Sequence, residues 1–505
     1  MTHVSRRDLM AVGTALAGAA GAAGLGVQEA RAQAGGFSAA SAVPGGPGAG
    51  GAGPGARRKT GPGLQGLYAL CEVTGGGQKV YGVAVEYDAA IDPASLALDT
   101  YAAGVFPAAK GFFPGLPQAA DKNATTEAAR PRAVTAIYTN DRPALRPDRK
   151  SVAGLYVIAE FNHDPDLSAP TTDSDKVQLT QDRDVRTAAG AVFGASKTVW
   201  TNAAGRGNSV VIRGVDAWEQ SHWWWDDTRS AWLEYSIYLP KSFLAPGGEK
   251  KAYPLVLAIT HSGTSYDGTC AQTLTEQCIA SIWSLPEEQD RHECVVITPR
   301  YERTTMNDYW EHTYDLENTY KLVESLMANR WNYGNPNLPD RADKVLKIDP
   351  NRVYCTGWSM GAMSSLWLMA EHPQTFAAGL IIAGQQRPSD VVNLAKQKVL
   401  IITGTLDGKA TPWNEKCVPV WRKAGGKVTR PAETLDPGLI FPVENQAKLT
   451  AQIDGYLAQG NITYLTFQGV DHLASARKFF YIRAARDWLF RQVRTAPAKP
   501  RPKAT

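Results

Sequence analysis

The chain has 505 residues and a formal net charge of +4, close to neutral for that length, which argues against a nucleic-acid binder. Its length favours two domains or more. Six cysteines, Cys71, Cys270, Cys278, Cys294, Cys355 and Cys417, are too few and too scattered for a disulfide framework, and no Cys-x-x-Cys spacing suggests a metal site.

In chain order, Ser5-Arg6-Arg7-Asp8-Leu9 is a twin-arginine pattern. An Ala- and Gly-rich run follows from Met10 to Val27, and Ala30-Arg31-Ala32 and Ala32-Gln33-Ala34 offer small-residue cleavage sites. Ala and Gly favour membrane insertion far less than Leu or Phe, so this run is a poor permanent span. No other stretch is long and apolar enough to cross a bilayer. Residues 1–32 are expected to be a bacterial signal peptide that hands a folded, soluble chain to the twin-arginine export machinery, giving a periplasmic or secreted product. Residues 33–65 are Gly, Pro, Ala and Ser with almost no large apolar side chains. Such a segment cannot offset its ordering entropy and is expected to be a disordered linker.

Residues 66–220 show short alternating runs, at Tyr81–Tyr87, Ala133–Tyr138, Gly154–Phe161 and Ser209–Arg213, separated by Pro, Gly, Asn and Asp clusters. That pattern predicts an antiparallel β-sandwich. Asp164-Pro165-Asp166-Leu167-Ser168 lacks the Gly and terminal Glu of a calcium loop, so it is read as a solvated turn. Trp218, His222-Trp223-Trp224-Trp225 and Trp232 crowd the passage into the next domain. They offer either packing between domains, the preferred reading, or an exposed platform for a sugar, an aromatic acyl group or a polymer.

Residues 228–495 alternate strand and helix signals. Leu233–Leu239 alternates, while Pro254–Thr260 and Cys294–Thr298 are continuous apolar runs, as buried parallel strands require. Tyr314–Met327 reads as a helix, and Gly379–Ala383, Lys398–Thr403 and Thr463–Phe467 read as further strands. One amphipathic helix is expected from about Ala474 to Val493. The order predicts an α/β domain with a doubly wound, mostly parallel sheet. Residues 496–505, with Lys499, Arg501 and Lys503 among prolines, are expected to be a frayed tail. Cys270 and Cys278 are spaced for a small local bridge or remain buried thiols.

The most informative stretch is Val353-Tyr354-Cys355-Thr356-Gly357-Trp358-Ser359-Met360-Gly361. A β-branched and aromatic run enters Gly-x-Ser-x-Gly through the turn Ile348–Arg352, and a helix-like segment, Ala362–His372, follows. This is the sequence form of a nucleophile elbow, whose strained turn lifts a serine hydroxyl above a sheet. A serine nucleophile needs a base, and the base an orienting acid. Only His372 and His472 lie beyond Ser359. His372 ends the elbow helix and would point away, whereas His472 follows the last strand, so His472 is the expected base. Asp407 follows Lys398–Thr403 and is the expected acid. Asp436 and Asp454 lack a preceding buried strand, and Asp471 is poorly placed to reach the far imidazole nitrogen. Oxyanion donors are expected at the N–H of Met360 and in the loop His261-Ser262-Gly263-Thr264. Gly263 is the first choice there, with Ser262 and Thr264 as alternatives, and His261 is read as shaping the loop. Trp310, Trp358 and Ser262 are candidate substrate-lining residues.

With these residues in hand, residues 230–495 resemble exported α/β-hydrolase esterases related to polyhydroxybutyrate depolymerases, feruloyl esterases and secreted peptidases. The resemblance rests on Tyr253-Pro254-Leu255-Val256-Leu257, the His261-Ser262-Gly263 loop, Asp349-Pro350-Asn351-Arg352-Val353-Tyr354 leading to Gly357-Trp358-Ser359-Met360-Gly361, and the late Asp407 and His472. Such enzymes usually show His-Gly where this chain has His261-Ser262. Some carry an N-terminal immunoglobulin-like domain, which residues 66–215 are similar to in pattern. The resemblance implies hydrolysis of a small-molecule or polymeric carboxylic ester through an acyl-enzyme on Ser359, with no metal or organic cofactor. A serine peptidase on the same fold and a non-catalytic polymer-binding protein are the competing readings.

Overall fold

The computed structural model describes residues 63–107, 128–162, 166–171, 173–202, 209–226, 231–264, 269–329 and 345–494. The expected signal peptide and C-terminal tail, and nearly all of the expected linker, lie outside these residues, as do Asp164 and Pro165.

The N-terminal part is a β-sandwich. Its strands are β1 (Leu64–Thr74), β2 (Gly77–Tyr87), β3 (Tyr101–Pro107), β4 (Arg130–Arg132), β5 (Val134–Asn140), β6 (Tyr156–Phe161), β7 (Asp173–Gln181), the short pair β8 (Val185–Arg186) and β9 (Val192–Phe193), β10 (Ser196–Thr201) and β11 (Val210–Arg213). One sheet runs β11-β1-β2-β6-β5 and the facing one β10-β7-β3-β4. Inward residues such as Val83, Val85, Val105, Val157, Val177 and Leu179 form the core between them, as period-2 alternation requires. The Tyr87 hydroxyl donates to Gln181 Oε1 at 2.8 Å and lies 2.9 Å from the Tyr101 hydroxyl, which joins the two sheets through a buried polar contact. The sheets are not wholly antiparallel as expected. β11 returns from the far sheet and lies parallel to β1, pairing Val210 with Ala69 and Arg213 with Glu72.

The sheet of the second domain holds nine strands in the order β12-β13-β15-β14-β16-β17-β18-β20-β19. They are β12 (Trp218–Asp226), β13 (Ala231–Tyr238), β14 (Ala252–Ile259), β15 (Val295–Arg300), β16 (Lys347–Trp358), β17 (Ala378–Ile382), β18 (Val399–Gly404), β19 (Val428–Thr429) and β20 (Ile462–Phe467). β12, β13 and β15 pair antiparallel, and every neighbour from β15 onward is parallel. The helices are α1 (Lys241–Leu244), α2 (Cys270–Thr275), α3 (Pro286–Arg291), α4 (Asp315–Met327), α5 (Met360–Glu371), α6 (Ala410–Lys423), α7 (Gln446–Leu457), α8 (His472–Lys478) and α9 (Arg483–Arg491). They cover both faces. Val256, Val296, Leu400 and Leu465 pack with Leu449, Ile453, Trp488 and Leu489 of α7 and α9. Leu255, Ile297, Val399 and Tyr464 pack with Leu322, Leu366 and Trp421 of α4, α5 and α6. Two covered faces explain why these strands read as unbroken apolar runs.

The structure corrects the expected boundary and final helix, and decides between the alternatives left open for the tryptophans and cysteines. Residues 218–220 belong to the nine-stranded sheet, because β12 starts at Trp218 and pairs with Tyr238. Trp218 is buried at the junction, donating from Nε1 to Gly214 O and Ser284 Oγ, and Trp224 is buried in the second domain. The tryptophans therefore play different parts, and among the described side chains of the cluster Trp232, edge-on to Trp223, is the exposed one. The final helix is broken into α8 and α9 by a 3-10 turn at Phe479–Tyr481. Phe479, Phe480, Tyr481 and Ile482 are all buried, and four consecutive residues cannot all face inward from one straight helix. All six cysteines are buried free thiols, so Cys270 and Cys278 do not pair. Burial pushes their thiols up to about 11 and about 12 respectively. Among the described residues no helix is long and apolar enough to cross a membrane.

Candidate active site

Ser359 sits between β16 and α5 with φ 55° and ψ −122°, a backbone conformation that non-glycine residues rarely occupy. The turn can be this sharp because of its neighbours. A Cβ at Gly361 would lie 2.0 Å from Ile259 O and 2.4 Å from Thr260 O, and one at Gly357 would lie 2.6 Å from Ile259 O. These two glycines let α5 and β16 press against the end of β14. The Ser359 N–H donates to Ile382 O at 3.2 Å, and its carbonyl accepts from Met363 N at 2.9 Å, so the strain is held by hydrogen bonds on both sides.

His472 is the first residue of α8. Its Nε2 lies 2.9 Å from Ser359 Oγ and its Nδ1 2.8 Å from Asp407 Oδ2. With Asp407 ionised, Nδ1–H donates to the carboxylate and Nε2 is left to accept from the serine hydroxyl. Asp407 is buried just before α6, and its Oδ1 accepts from Lys409 N at 3.1 Å and Ala410 N at 2.9 Å. Burial alone would raise the Asp407 carboxyl, but the His472 hydrogen bond and charge and the two backbone donors outweigh it and hold the carboxyl below its usual 3.8. A carboxyl lowered in the folded chain stabilises it above its unfolded value and loses that contribution as pH falls through the lower native value. Asp407→Asn is therefore expected to flatten the fall in melting temperature on acidification below pH 3.8. The same change is expected to cut kcat on the order of 10⁴-fold by freeing the wrong imidazole tautomer. Acid melting curves parallel to the parent's would contradict the lowered carboxyl.

The other candidates fall as follows. His372 stacks on Tyr320 and faces Glu317 at 3.9 Å, apart from Ser359. Asp471 caps α8 by accepting from Ala474 N at 2.7 Å, and Asp436 caps a 3-10 turn by accepting from Gly438 N. Asp454 lies in α7, 3.9 Å from Arg491. Met360 is the first residue of α5 and directly follows the nucleophile. Gly263 does not leave its donor open as expected, because its N–H donates to His261 Nδ1 at 3.0 Å. Thr264 N donates to His261 O at 3.2 Å. The 3-10 turn over Ser262–Thr264 turns both groups inward, so among the described residues Ser262, which is exposed, is the one of the three whose N–H has no hydrogen bond recorded within the loop. His261 shapes this loop. Burial, with a further push from the charge of His472, lowers it to about 3, so the ring stays neutral. Its Nε2 is 3.8 Å from Glu276, whose carboxyl burial raises to about 7.

Trp358, a candidate for lining the substrate site, faces inward at the elbow. It is buried, its ring lies between His261 and His472 at 4.8 and 5.1 Å, and Nε1 donates to Ser475 Oγ and His472 O at 3.0 and 3.2 Å. It ties α8 to the elbow. Trp310 is half-buried in the loop after β15, edge-on to Trp413 at 4.6 Å with the Arg387 guanidinium 5.5 Å from its ring. That loop is joined to the loops after β17 and β18, since Asp308 accepts from Gln385 Nε2 at 3.2 Å and pairs with Lys409. Ser475 did not stand out in the sequence, and Asp308 did so only as a neighbour of Trp310 in Asn307-Asp308-Tyr309-Trp310, with no role of its own. The three-residue step from His472 to Ser475 is the one signal for Ser475, and for Asp308 it is the position of its loop after the strand Cys294–Thr298. Among the described residues no group of three or more His, Cys, Asp or Glu could hold a metal ion.

Residues 231–437 match the family described as "Putative esterase", and residues 66–194 match the "Esterase Ig-like N-terminal domain". The chain therefore joins an esterase-family domain to an esterase-type Ig-like N-terminal domain. The esterase match takes in Ser359 and Asp407 and ends before His472. Over 70 residues the chain is 39% identical to "Putative esterase NocK" of Nocardia uniformis subsp. tsuyamanensis, covering 14% of this chain and 20% of that protein. It thus spans about a fifth of the length of the curated relative it matches. The crystal structure of a thermostable esterase superposes with a TM-score of 0.62 at 18% identity, covering 85% of this chain and all of the other. That likeness is one of fold, an α/β-hydrolase domain preceded by a β-sandwich.

Proposed function

We propose that this chain is an exported serine esterase that cleaves carboxylic esters through an acyl-enzyme on Ser359. The observation that carries the reading is the continuous relay from Ser359 Oγ to His472 Nε2 at 2.9 Å and from His472 Nδ1 to Asp407 Oδ2 at 2.8 Å. As Ser359 Oγ attacks the ester carbonyl, its proton passes to His472 Nε2. The imidazolium returns that proton to the departing alcohol. Water then attacks the acyl-enzyme, again giving a proton to His472, and the acid leaves as Ser359 is restored. Asp407 keeps the ring in the tautomer that can accept and stabilises its charged form. The N–H groups of Met360 and Ser262 are the donors proposed for the developing oxyanion.

The twin-arginine pattern at Ser5–Leu9 supports export in the folded state. For the catalytic reading, short p-nitrophenyl esters are set against the matching p-nitroanilides. Turnover of the esters with anilides slower by at least two orders of magnitude is expected, because an amine is the poorer leaving group and no peptide clamp is evident among the described residues. Comparable anilide turnover would make the chain a peptidase.

A further inference from the structure

The β-sandwich reaches the helix that carries His472. The turn between β1 and β2 is Gly75-Gly76. A Cβ at Gly75 would lie 2.0 Å from Arg477 O and 2.7 Å from its carbonyl carbon, so the hairpin tip touches the last turn of α8 backbone to backbone. The Gly75 N–H donates to the Tyr481 hydroxyl at 3.1 Å in a buried setting. On its other side the tip is backed by its own domain. A Cβ at Gly76 would lie 1.8 Å from Ala169 O, and Gly76 O accepts from Thr171 N at 2.8 Å. Lys478 Nζ donates to Ser168 Oγ at 2.8 Å and faces Asp166 at 3.8 Å. Val73 shares an apolar cluster with Ala476, Phe479, Phe480 and Tyr481.

α8 has seven residues, too few to hold itself in place without tertiary contacts. Its start is tied to the elbow through Trp358 Nε1 and the His472 carbonyl. Its end is tied to the sandwich through Arg477, Lys478 and Tyr481. A ring that must meet Ser359 on one nitrogen and Asp407 on the other tolerates little displacement, since about 1 Å of misplacement costs about 10²-fold in rate.

We propose that the β1–β2 hairpin of the Ig-like domain is a positioning element for the base: Gly75, with Tyr481 and Lys478, sets α8 so that His472 reaches Ser359 and Asp407 together. The proposal rests on the esterase reading given above. The domain is also docked elsewhere. Arg213 Nη1 donates to Glu72 at 2.8 Å, the same guanidinium pairs with Glu287, and Ser284 Oγ donates to Gly214 O at 2.5 Å. Changes at the hairpin contact therefore leave the sandwich attached.

The test uses the full chain with Tyr481→Phe, which removes the acceptor for Gly75, and Lys478→Met, which cuts the contact with Ser168. Gly75→Val is the severe variant, and the two milder ones keep the test valid if it does not fold. For each, kcat and KM on a p-nitrophenyl ester, the pH profile of kcat/KM and the melting temperature are measured. The expected result is a fall in kcat of roughly 5- to 50-fold with KM within about twofold, a shifted acidic limb, and most of the rate recovered in Lys478→Arg. A lowered melting temperature with kcat and the acidic limb unchanged would overturn the proposal, leaving the contact purely structural. Failure of the esterase reading is told apart, because the parent chain would then show no ester turnover lost in Ser359→Ala.

Discussion

Ser359→Ala is expected to lower ester hydrolysis by on the order of 10⁴- to 10⁶-fold, with almost no change in melting temperature. The Oγ atom makes its hydrogen bond to His472 and carries no packing that Ala would lose. The turn's strain resides in the backbone, at φ 55°, and the Gly357 and Gly361 contacts that permit it are untouched. His472→Ala is expected to cost nearly as much, and the double variant little more than either single one. That non-additivity follows from both residues acting in one step, since a base without its nucleophile has nothing to deprotonate. Ser359→Ala retaining a tenth of the parent rate, on protein free of wild-type carry-over, would assign the hydrolysis to another group.

Gly361→Val is expected to prevent stable folding, at a cost above about 4 kcal/mol. Its Cβ would have to occupy space 2.0 Å from Ile259 O, 2.4 Å from Thr260 O and 2.6 Å from the Ile259 carbonyl carbon. All of these are backbone atoms at the end of a central strand, and no side-chain rotation relieves the contact. Gly361→Ala meets the same atoms and should differ in degree only. Gly455 in α7 is the counter-case. A Cβ there meets nothing within 4 Å, so Gly455→Ala is expected to add about 0.5–1 kcal/mol of stability through helix propensity alone. Soluble yield and thermal melting separate these outcomes. A Gly361→Val chain that melts like its parent would mean that the elbow is looser than its geometry shows.

What could be read from the sequence follows from how local each signal is. The elbow is visible because every constraint on it falls within nine residues, from Val353 to Gly361, and the parallel strands are visible because burial on both faces makes them continuously apolar. β12 was hidden in a tryptophan cluster whose members face different neighbours, with Trp218 at the junction and Trp224 in the second domain. α6 carries Pro419 in its interior, which breaks the sequence signature of a helix. At the site, the order of Ser359, Asp407 and His472 along the chain was enough to group them. The fate of the Gly263 N–H was not, because it depends on which way the 261–264 turn folds back, and that is decided by His261 Nδ1. The buried state of Trp358 was equally unreadable, since its partners Ser475 and His472 lie 117 and 114 residues away.

The parallel pairing of β11 with β1 also governs when the first domain can be finished. Glu72 and Arg213, joined across that pair, stand 141 residues apart. On a ribosome that adds about 5–20 residues per second, β1 must wait many seconds for its outer neighbour, exposing one unpaired edge meanwhile. β12 begins five residues after Arg213, at Trp218, so completing the sandwich coincides with starting the nine-stranded sheet. The Ig-like domain is then less a finished module placed ahead of an enzyme than a scaffold whose last strand emerges with the first strand of its neighbour.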